Sequence, residues 1–311
     1  MRTLICGSIA YDTVMVFQGR FADHILPDQV HILNVSFLVP EMKREFGGCA
    51  GNIAYSLKCL GGEPLPMATV GEDAGPYLNR LDALAIDRRY VSQVPGSYTA
   101  QAFITTDLND NQLTAFHPGA MGQSHLNAVP GDDAIELGII APDGRDGMQQ
   151  HAQQFAEHGI PFIFDIGQAM PLFNGEELVW FIARATYVTL NDYEARVVVE
   201  RTRLSLPELA QRVKALVVTR GAEGSEIFLG GTSLRVPVAS ARRVVDPIGC
   251  GDAYRGGLLY GIAKGLDWET TGRLAAVLGA IKIEASGAQN YVADRQALAD
   301  RFSEAFGYRP W

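Results

Sequence analysis

The sequence predicts an α/β protein: a three-layer α/β/α domain with a mostly parallel central sheet, plus a small β-sheet lid. Three observations carry this. Short apolar runs that stop at glycine or a polar residue recur along the chain, helix-patterned stretches separate them, and two segments break the rhythm with strand-like alternation. Buried strands that alternate with helices pair in parallel and need cover on both faces.

In chain order, "RTLICGSIAYD" (2–12) is the first strand, closing on Gly7, Ser8 and Asp12. Residues 13–45 form a first excursion. "GGCAGNIAYSLKCLGG" (47–62) is a glycine pair running into a helix. Residues 97–118 form a second excursion, a β-hairpin whose arms flank the turn-forming "DLNDN". The runs 134–141, 161–167, 186–192 and 215–221 are strands, and 146–159 and 192–202 are helices. Val244 and Val245 end a last strand, Pro247 fixes the turn, and the spacing of Leu258, Leu259 and Ile262 makes a helix from Gly251 to Lys264. Residues 1–12, 46–96 and 119–311 are therefore assigned to the large domain, and 13–45 and 97–118 to the lid. That lid either closes over the binding edge or joins two copies of the chain as a homodimer.

With 311 residues, 47% of them hydrophobic, the chain can bury a large core. No apolar run reaches the roughly 18 residues of a bilayer span, and "MRTLICGSIAYD" lacks a signal-peptide pattern, so a soluble, cytoplasmic protein is expected. The four cysteines make no CxxC pair and the six histidines no zinc spacing. A net charge of -9 argues against a nucleic-acid polymer as partner, because such binding draws on clustered Lys and Arg. A small molecule is expected instead.

The common phosphate signatures, GxxxxGK[ST] and GxGxxG with its distal acid, are absent, as is the GxSxG elbow. Parallel strands place their C-terminal ends on one ligand-binding edge, where Asp12, Asn191, Thr219 and Asp246 are expected. In "DPIGCGDAYRGG" (246–257) a helix starts after two glycines, which leaves the N–H groups of Gly249, Cys250 and Gly251 as donors for an anion. Asp252 beside them suits a general base for a hydroxyl attacking a phosphoryl group, although a first-turn acid also simply favours the helix dipole. Asn191 and Glu194 of "NDYE" either hold the water shell of Mg²⁺ or cap a helix. "TRGAEGS" (219–225) either lines a nucleotide phosphate or only turns the chain. Arg255 and Lys282, on helices, read as solvated surface.

Through "GSIAYD", "FGGCAGN", "NDYE", "VTRGAEGS" and "DPIGCGDAYRGG" the chain resembles the PfkB, or ribokinase-like, kinases along nearly its whole length. The last motif stands for the family's DTxGAGD, from which Pro247 and Cys250 depart in a loop whose backbone does the chemistry. The resemblance implies a ribokinase-like fold with ATP and Mg²⁺. It implies Asp252 as base and Gly249, Cys250 and Gly251 as the anion hole. Asn191 and Glu194 then organise Mg²⁺ and phosphate, and Thr219, Gly221 and Gly224 line the nucleotide. Ser8, Asp12, Gly48 and Asn52 face the acceptor's hydroxyls. Some relatives add a K⁺-like ion near the anion hole, for which Asp246 and the backbone around Ser286 are the candidates here.

Finer likeness to bacterial adenosine kinases rests on residues 7–39, "FHPGAM" (116–121) and "DIGQAMPLFNGEEL" (165–178). It implies that Phe116 stacks on a purine, that Gln168 reads a base edge, and that the 5'-hydroxyl points at Asp252 to give AMP in purine salvage. A ribose or fructose kinase of the same mechanism, and a nucleoside-binding sensor without chemistry, are the alternatives.

Overall fold

The structure, a computed structural model, describes residues 2–25, 34–109, 111–131 and 135–311. Parts of the first excursion (26–33), of the hairpin turn (110) and of the strand expected at 134 lie outside the described residues. In chain order the strands are β1 (Arg2–Cys6), β2 (Ala10–Val16), β3 (Glu41–Gly47), β4 (Glu63–Val70), β5 (Tyr90–Gln93), β6 (Ala100–Thr106), β7 (Gln112–His117), β8 (Ile135–Ile140), β9 (Phe162–Asp165), β10 (Tyr187–Asn191), β11 (Ala215–Thr219), β12 (Ser225–Leu229) and β13 (Thr232–Val236). The helices are α1 (Cys49–Cys59), α2 (Gly75–Ala83), α3 (Arg145–Glu157), α4 (Gly175–Ile182), α5 (Asp192–Thr202), α6 (Leu206–Ala210), α7 (Cys250–Ala263), α8 (Trp268–Ile283) and α9 (Arg295–Phe306).

Nine strands form the large sheet in the order β13-β12-β11-β10-β9-β8-β1-β4-β5. All pairs are parallel except the β11–β12 and β12–β13 pairs at one edge. From β1 the chain builds outward first through β4 and β5, then the other way through β8 to β11. The resulting switch point beside β1 is where such sheets open a crevice at their carboxyl ends. One face is covered by a core that includes Ile53, Tyr77, Leu258, Leu278 and Phe302, the other by one that includes Met148, Phe155, Phe181, Val198 and Leu209. The three-layer prediction is thereby met.

The small sheet has the order β3-β2-β6-β7, and the expected hairpin is the antiparallel β6–β7 pair. Its boundaries differ from those expected. "RTLICGSIAYD" is not one strand: β1 stops at Cys6, and Ala10 starts β2 in the other sheet. Gly7 turns the chain where a Cβ would lie 3.1 Å from Ala141 Cβ. Asp12 consequently belongs to the small sheet, and the cuts expected after 12 and 45 fall inside β2 and β3. Val244 and Val245 also end no strand. The N–H groups of Val245 and Asp246 both donate to Ile283 O at the end of α8, so this stretch is tied to a helix terminus rather than to a ladder. Asp246 therefore sits in a loop, whereas Asn191 and Thr219 close β10 and β11 as expected.

Helix α7 is wedged between α1 and α8 through glycines. A Cβ on Gly256 would lie 2.6 Å from Ser56 Cβ, and one on Gly257 would lie 2.5 Å from Ala275 Cα. Backbone-to-backbone contact of this kind fixes the axial position of α7, and hence of its N-terminus. Gly257→Val is expected to lower stability by roughly 1–3 kcal/mol or more through overpacking, read as a lower urea midpoint. An unchanged midpoint would mean that α8 can move away from α7.

Candidate active site

The site forms around the first turn of α7. Gly249, its N-cap, has φ 79°, and a Cβ there would meet Ala288 Cβ at 2.7 Å, so only glycine serves. Of the three expected donors, Cys250 N–H is spent on Pro247 O at 3.2 Å. The N–H groups of Gly249, Gly251 and Asp252 have no acceptor among the described residues, and they point the positive end of the helix dipole at the cleft. An anion fits there.

Asp252 is partly buried, and its Oδ2 accepts from Asn52 Nδ2 at 2.8 Å. Burial pushes its pKa up to about 6 and the charge of Asp165 adds to the rise, while the Asn52 hydrogen bond and the Arg255 guanidinium oppose it. Asn52 has more to do than the acceptor contact expected of it. Its Oδ1 accepts from Gln289 Nε2 at 3.0 Å, and that amide also reaches Tyr77 Oη at 2.7 Å, which in turn donates to Gly47 O. A buried chain of polar groups thus ties the glycine pair at 47 and 48 to Asp252. Gly48 has φ 84° and no room for a Cβ beside Ser8 O and Ala10 N. Ser8, expected at the acceptor, accepts Cys49 N–H on its Oγ at 3.0 Å and so caps α1.

Strand register aligns the remaining acceptor candidates. Glu45, Asp12, Ala102 and Phe116 are cross-strand partners in one row of the small sheet and share one face. Asp12 and Phe116 therefore stand two strands apart, roughly 10 Å, with only a methyl group between them. The Asp12 carboxylate has no donor among the described residues, and burial together with the charges of Asp246 and Glu45 raises its pKa to about 6. Phe116 is 52% exposed. Gln168 is also exposed, in the turn after β9.

Beyond the anion hole lies a cavity of about 590 Å³. Thr219, Gly221 and Gly224 line one part, Val238, Ala239, Ala276 and Ile283 another, and Cys250 and Gly251 also line it. Apolar walls that reach a helix N-terminus suit an aromatic base with a phosphate tail. The predicted nucleotide residues and the predicted anion hole therefore share one cavity.

Asn191 and Glu194 form a capping box. Glu194 accepts the Asn191 N–H at 2.7 Å and its Nδ2 at 2.8 Å, while Glu194 N–H donates to Asn191 Oδ1. Burial raises the Glu194 pKa, with Asp165 adding to the rise and Arg255 opposing it. No group of three acidic, His or Cys side chains placed to hold a metal ion is present among the described residues. This donor set fits Mg²⁺ that keeps its waters, not a direct protein cage. The K⁺ expectation fares differently. Ser286 O accepts from Asn290 Nδ2, and the ammonium of Lys282 bonds Asp246 O at 2.8 Å and Ala285 O at 3.1 Å. A tethered cation stands where the free one was expected, so these residues do not fit K⁺.

Lys282 and Arg255, expected at the surface, are buried: they are 0% and 6% exposed. Arg255 grips Asp165, the last residue of β9, through Nε–Oδ2 at 2.7 Å and Nη2–Oδ1 at 2.8 Å, and its Nη1 donates to Gly251 O. Two signals were available: Arg255 follows Asp252 by three residues, and Asp165 ends an apolar run as Asn191 does.

Free N–H groups at a helix start, a carboxylate held beside them and a nucleotide-sized cavity are the parts of a phosphoryl-transfer enzyme. The chain belongs to the pfkB family of carbohydrate kinases, whose profile matches residues 11–295. It is thus a phosphotransferase. It is similar to the Burkholderia thailandensis nucleoside kinase, solved in complex with inosine, at 55% identity and a TM-score of 0.89 over 99% of both chains. That enzyme has also been solved in complex with ADP-inosine, at 57% identity and a TM-score of 0.87 over 99% of this chain and 97% of that one. The Methanocaldococcus jannaschii nucleoside kinase is 28% identical over 276 residues, 87% of this chain and 90% of that protein. Among the described residues no helix is long and apolar enough to cross a membrane.

Arg255→Met is expected to cost about 3–5 kcal/mol, because it strands the buried Asp165 carboxylate. Denaturant titration should show much of that loss recovered in Arg255→Met/Asp165→Leu; equal losses in single and double variants would mean the pair is not what is being removed.

Proposed function

We propose that this protein is a nucleoside kinase that transfers the γ-phosphoryl of ATP to a 5'-hydroxyl, with a purine nucleoside, adenosine first, as acceptor. The observation that carries the proposal is the Asp12–Ala102–Phe116 row. A ribose fits between a donor-less carboxylate that can accept its hydroxyls and an exposed aromatic face on which its base can stack. A bare sugar would leave Phe116 without a partner. The inosine bound to the Burkholderia relative supports a purine. The Gln168 amide, both donor and acceptor, can meet the edge of either adenine or hypoxanthine.

In this mechanism Asp252 takes the 5'-hydroxyl proton as the oxygen attacks the γ-phosphorus in line. Asn52 aims the carboxylate, and the free N–H groups of Gly249, Gly251 and Asp252 meet the charge on the transferred group. Thr219, Gly221 and Gly224 line the nucleotide cavity. Mg²⁺ arriving with ATP would neutralise its phosphate oxygens, with Asn191 and Glu194 holding the ion's waters. Closure of the small sheet over the cleft would keep water from the γ-phosphoryl group.

The small sheet also has an outer use in this proposal, as the surface of a homodimer. On the face opposite Asp12, Met42, Phe103 and Leu113 are 65%, 40% and 45% exposed. Sedimentation should give two chains per particle, and Phe103→Glu one; a monomeric wild-type chain would remove this part.

ADP release measured with adenosine, guanosine, inosine, ribose and fructose is expected to be strongest with a purine nucleoside. Preference for a bare sugar would point to a sugar kinase, and nucleoside binding without ADP to a sensor. Asp252→Asn should cut turnover by about 10²–10⁴-fold while ATP still binds. In the wild-type enzyme kcat/KM should rise with pH through about 6 as Asp252 ionises, and Asn52→Ala, which removes a bond to the ionised form, should move that limb to higher pH. A flat profile between pH 5 and 8 would remove Asp252 as base.

A further inference from the structure

Lys282, in the last turn of α8, is fully buried, yet its ammonium makes no close ion pair. Its two hydrogen bonds go to backbone carbonyls, Asp246 O at 2.8 Å and Ala285 O at 3.1 Å, and the Asp246 carboxylate lies 3.9 Å away. Those carbonyls belong to two different loops. One runs through 246–249 into the N-cap of α7; the other follows α8. Asp246 joins the same loops a second time, since its Oδ1 accepts Ile248 N–H at 2.9 Å and its Oδ2 accepts Gly287 N–H at 2.7 Å. The stem of Lys282 passes beneath the anion hole, with Cε 3.7 Å from where a Gly249 Cβ would stand and Ala288 closer still.

Backbone carbonyls turned inward from two loops towards one point form the ligand set that an alkali cation uses. Buried without a cation, they would be unsatisfied and would repel each other. Burial lowers the Lys282 pKa from the usual lysine value, while the Asp246 charge opposes that change. Two carbonyl acceptors and a carboxylate all favour the ammonium form.

We propose that Lys282 is a positioning residue that acts as a tethered monovalent cation, fixing the 246–249 and 285–288 loops so that the N-terminus of α7 is preformed for phosphate without K⁺. The proposal rests on the phosphotransfer reading above. It assigns Lys282 no contact with substrate, because its hydrogen bonds end on the protein.

The test compares wild-type turnover at equal ionic strength in potassium, sodium and choline chloride, and then examines Lys282→Met and Lys282→Ala. Wild-type kcat should agree within about twofold across the three salts. Lys282→Met, which keeps the stem and removes the charge, should lose roughly ten- to a hundredfold in kcat with little change in nucleoside KM. Lys282→Ala leaves space for an ion, so potassium or ammonium chloride should restore at least part of its kcat where choline does not. Stimulation of the wild-type enzyme several-fold by potassium overturns the proposal, as does wild-type kcat in Lys282→Met, or a folded Lys282→Ala that no small cation rescues. If the variants fail to fold, the wild-type salt comparison still decides. If no acceptor yields ADP, the functional reading fails separately; the ATP-induced rise in melting temperature of the wild-type chain, equal in all three salts or larger in potassium, then judges Lys282 alone.

Discussion

The bidentate pair between Arg255 and Asp165 is the contact on which the site depends. It joins the second turn of α7 to the carboxyl end of β9, and its Nη1 reaches back to Gly251 O, in the turn that carries the free N–H groups. Glycine contacts with α1 and α8 set the height of α7; this pair sets its rotation. A helix pinned in both respects presents its N-terminus to the cleft as a fixed feature. That matters because a dipolar anion hole stabilises developing charge only if it need not reorganise as the charge appears. A buried pair of this kind contributes little net stability, so its value lies in placement.

Much of the site could be read from the sequence because it is local. Gly249, Gly251 and Asp252 lie within one turn of one motif, and Thr219 and Asn191 end apolar runs that are strands. Their chemistry follows from residue type and from the direction of the chain. The errors have the opposite character. Arg255 and Lys282 look like solvated helix residues in the sequence because the strand and loop residues they hold, Asp165 and Asp246, lie 90 and 36 positions away. Asn52 was read only for its approach to the acceptor, whereas its amide bridges residues 200 and 237 positions distant.

The small sheet shows a second limit. An apolar run does not state which sheet it joins, and "RTLICGSIAYD" crosses from one to the other with only Gly7 and Ser8 to mark the change. Moving Asp12 from the large sheet to the small one changes what it can do. On the parallel edge it would be one of several strand-end acids facing phosphate. In β2 it shares a row with Phe116, and the register of two strand pairs sets their separation. No property of Asp12 or Phe116 alone reveals that relation; it exists only once β6 pairs with both neighbours.

Asp12 and Asp252 are both pushed up to about 6, burial being the largest cause in each case, but Asp252 accepts from the Asn52 amide at 2.8 Å, whereas Asp12 has no donor among the described residues. The difference fits the two tasks proposed for them, base for Asp252 and acceptor of substrate hydroxyls for Asp12. A base must be ionised and aimed before the hydroxyl arrives, and one hydrogen bond accomplishes this while leaving the other oxygen to take a proton. An acceptor for substrate hydroxyls gains most when its desolvated charge has no protein donor, because the ligand then supplies bonds that the free enzyme lacks. Asp246 and Glu45 sharpen that deficit by adding charge around Asp12. Lys282, 3.9 Å from the Asp246 carboxylate, offsets part of it on the loop side and leaves the cleft side for the substrate. In the proposed reading, a bound hydroxyl group relieves this unpaired charge at Asp12.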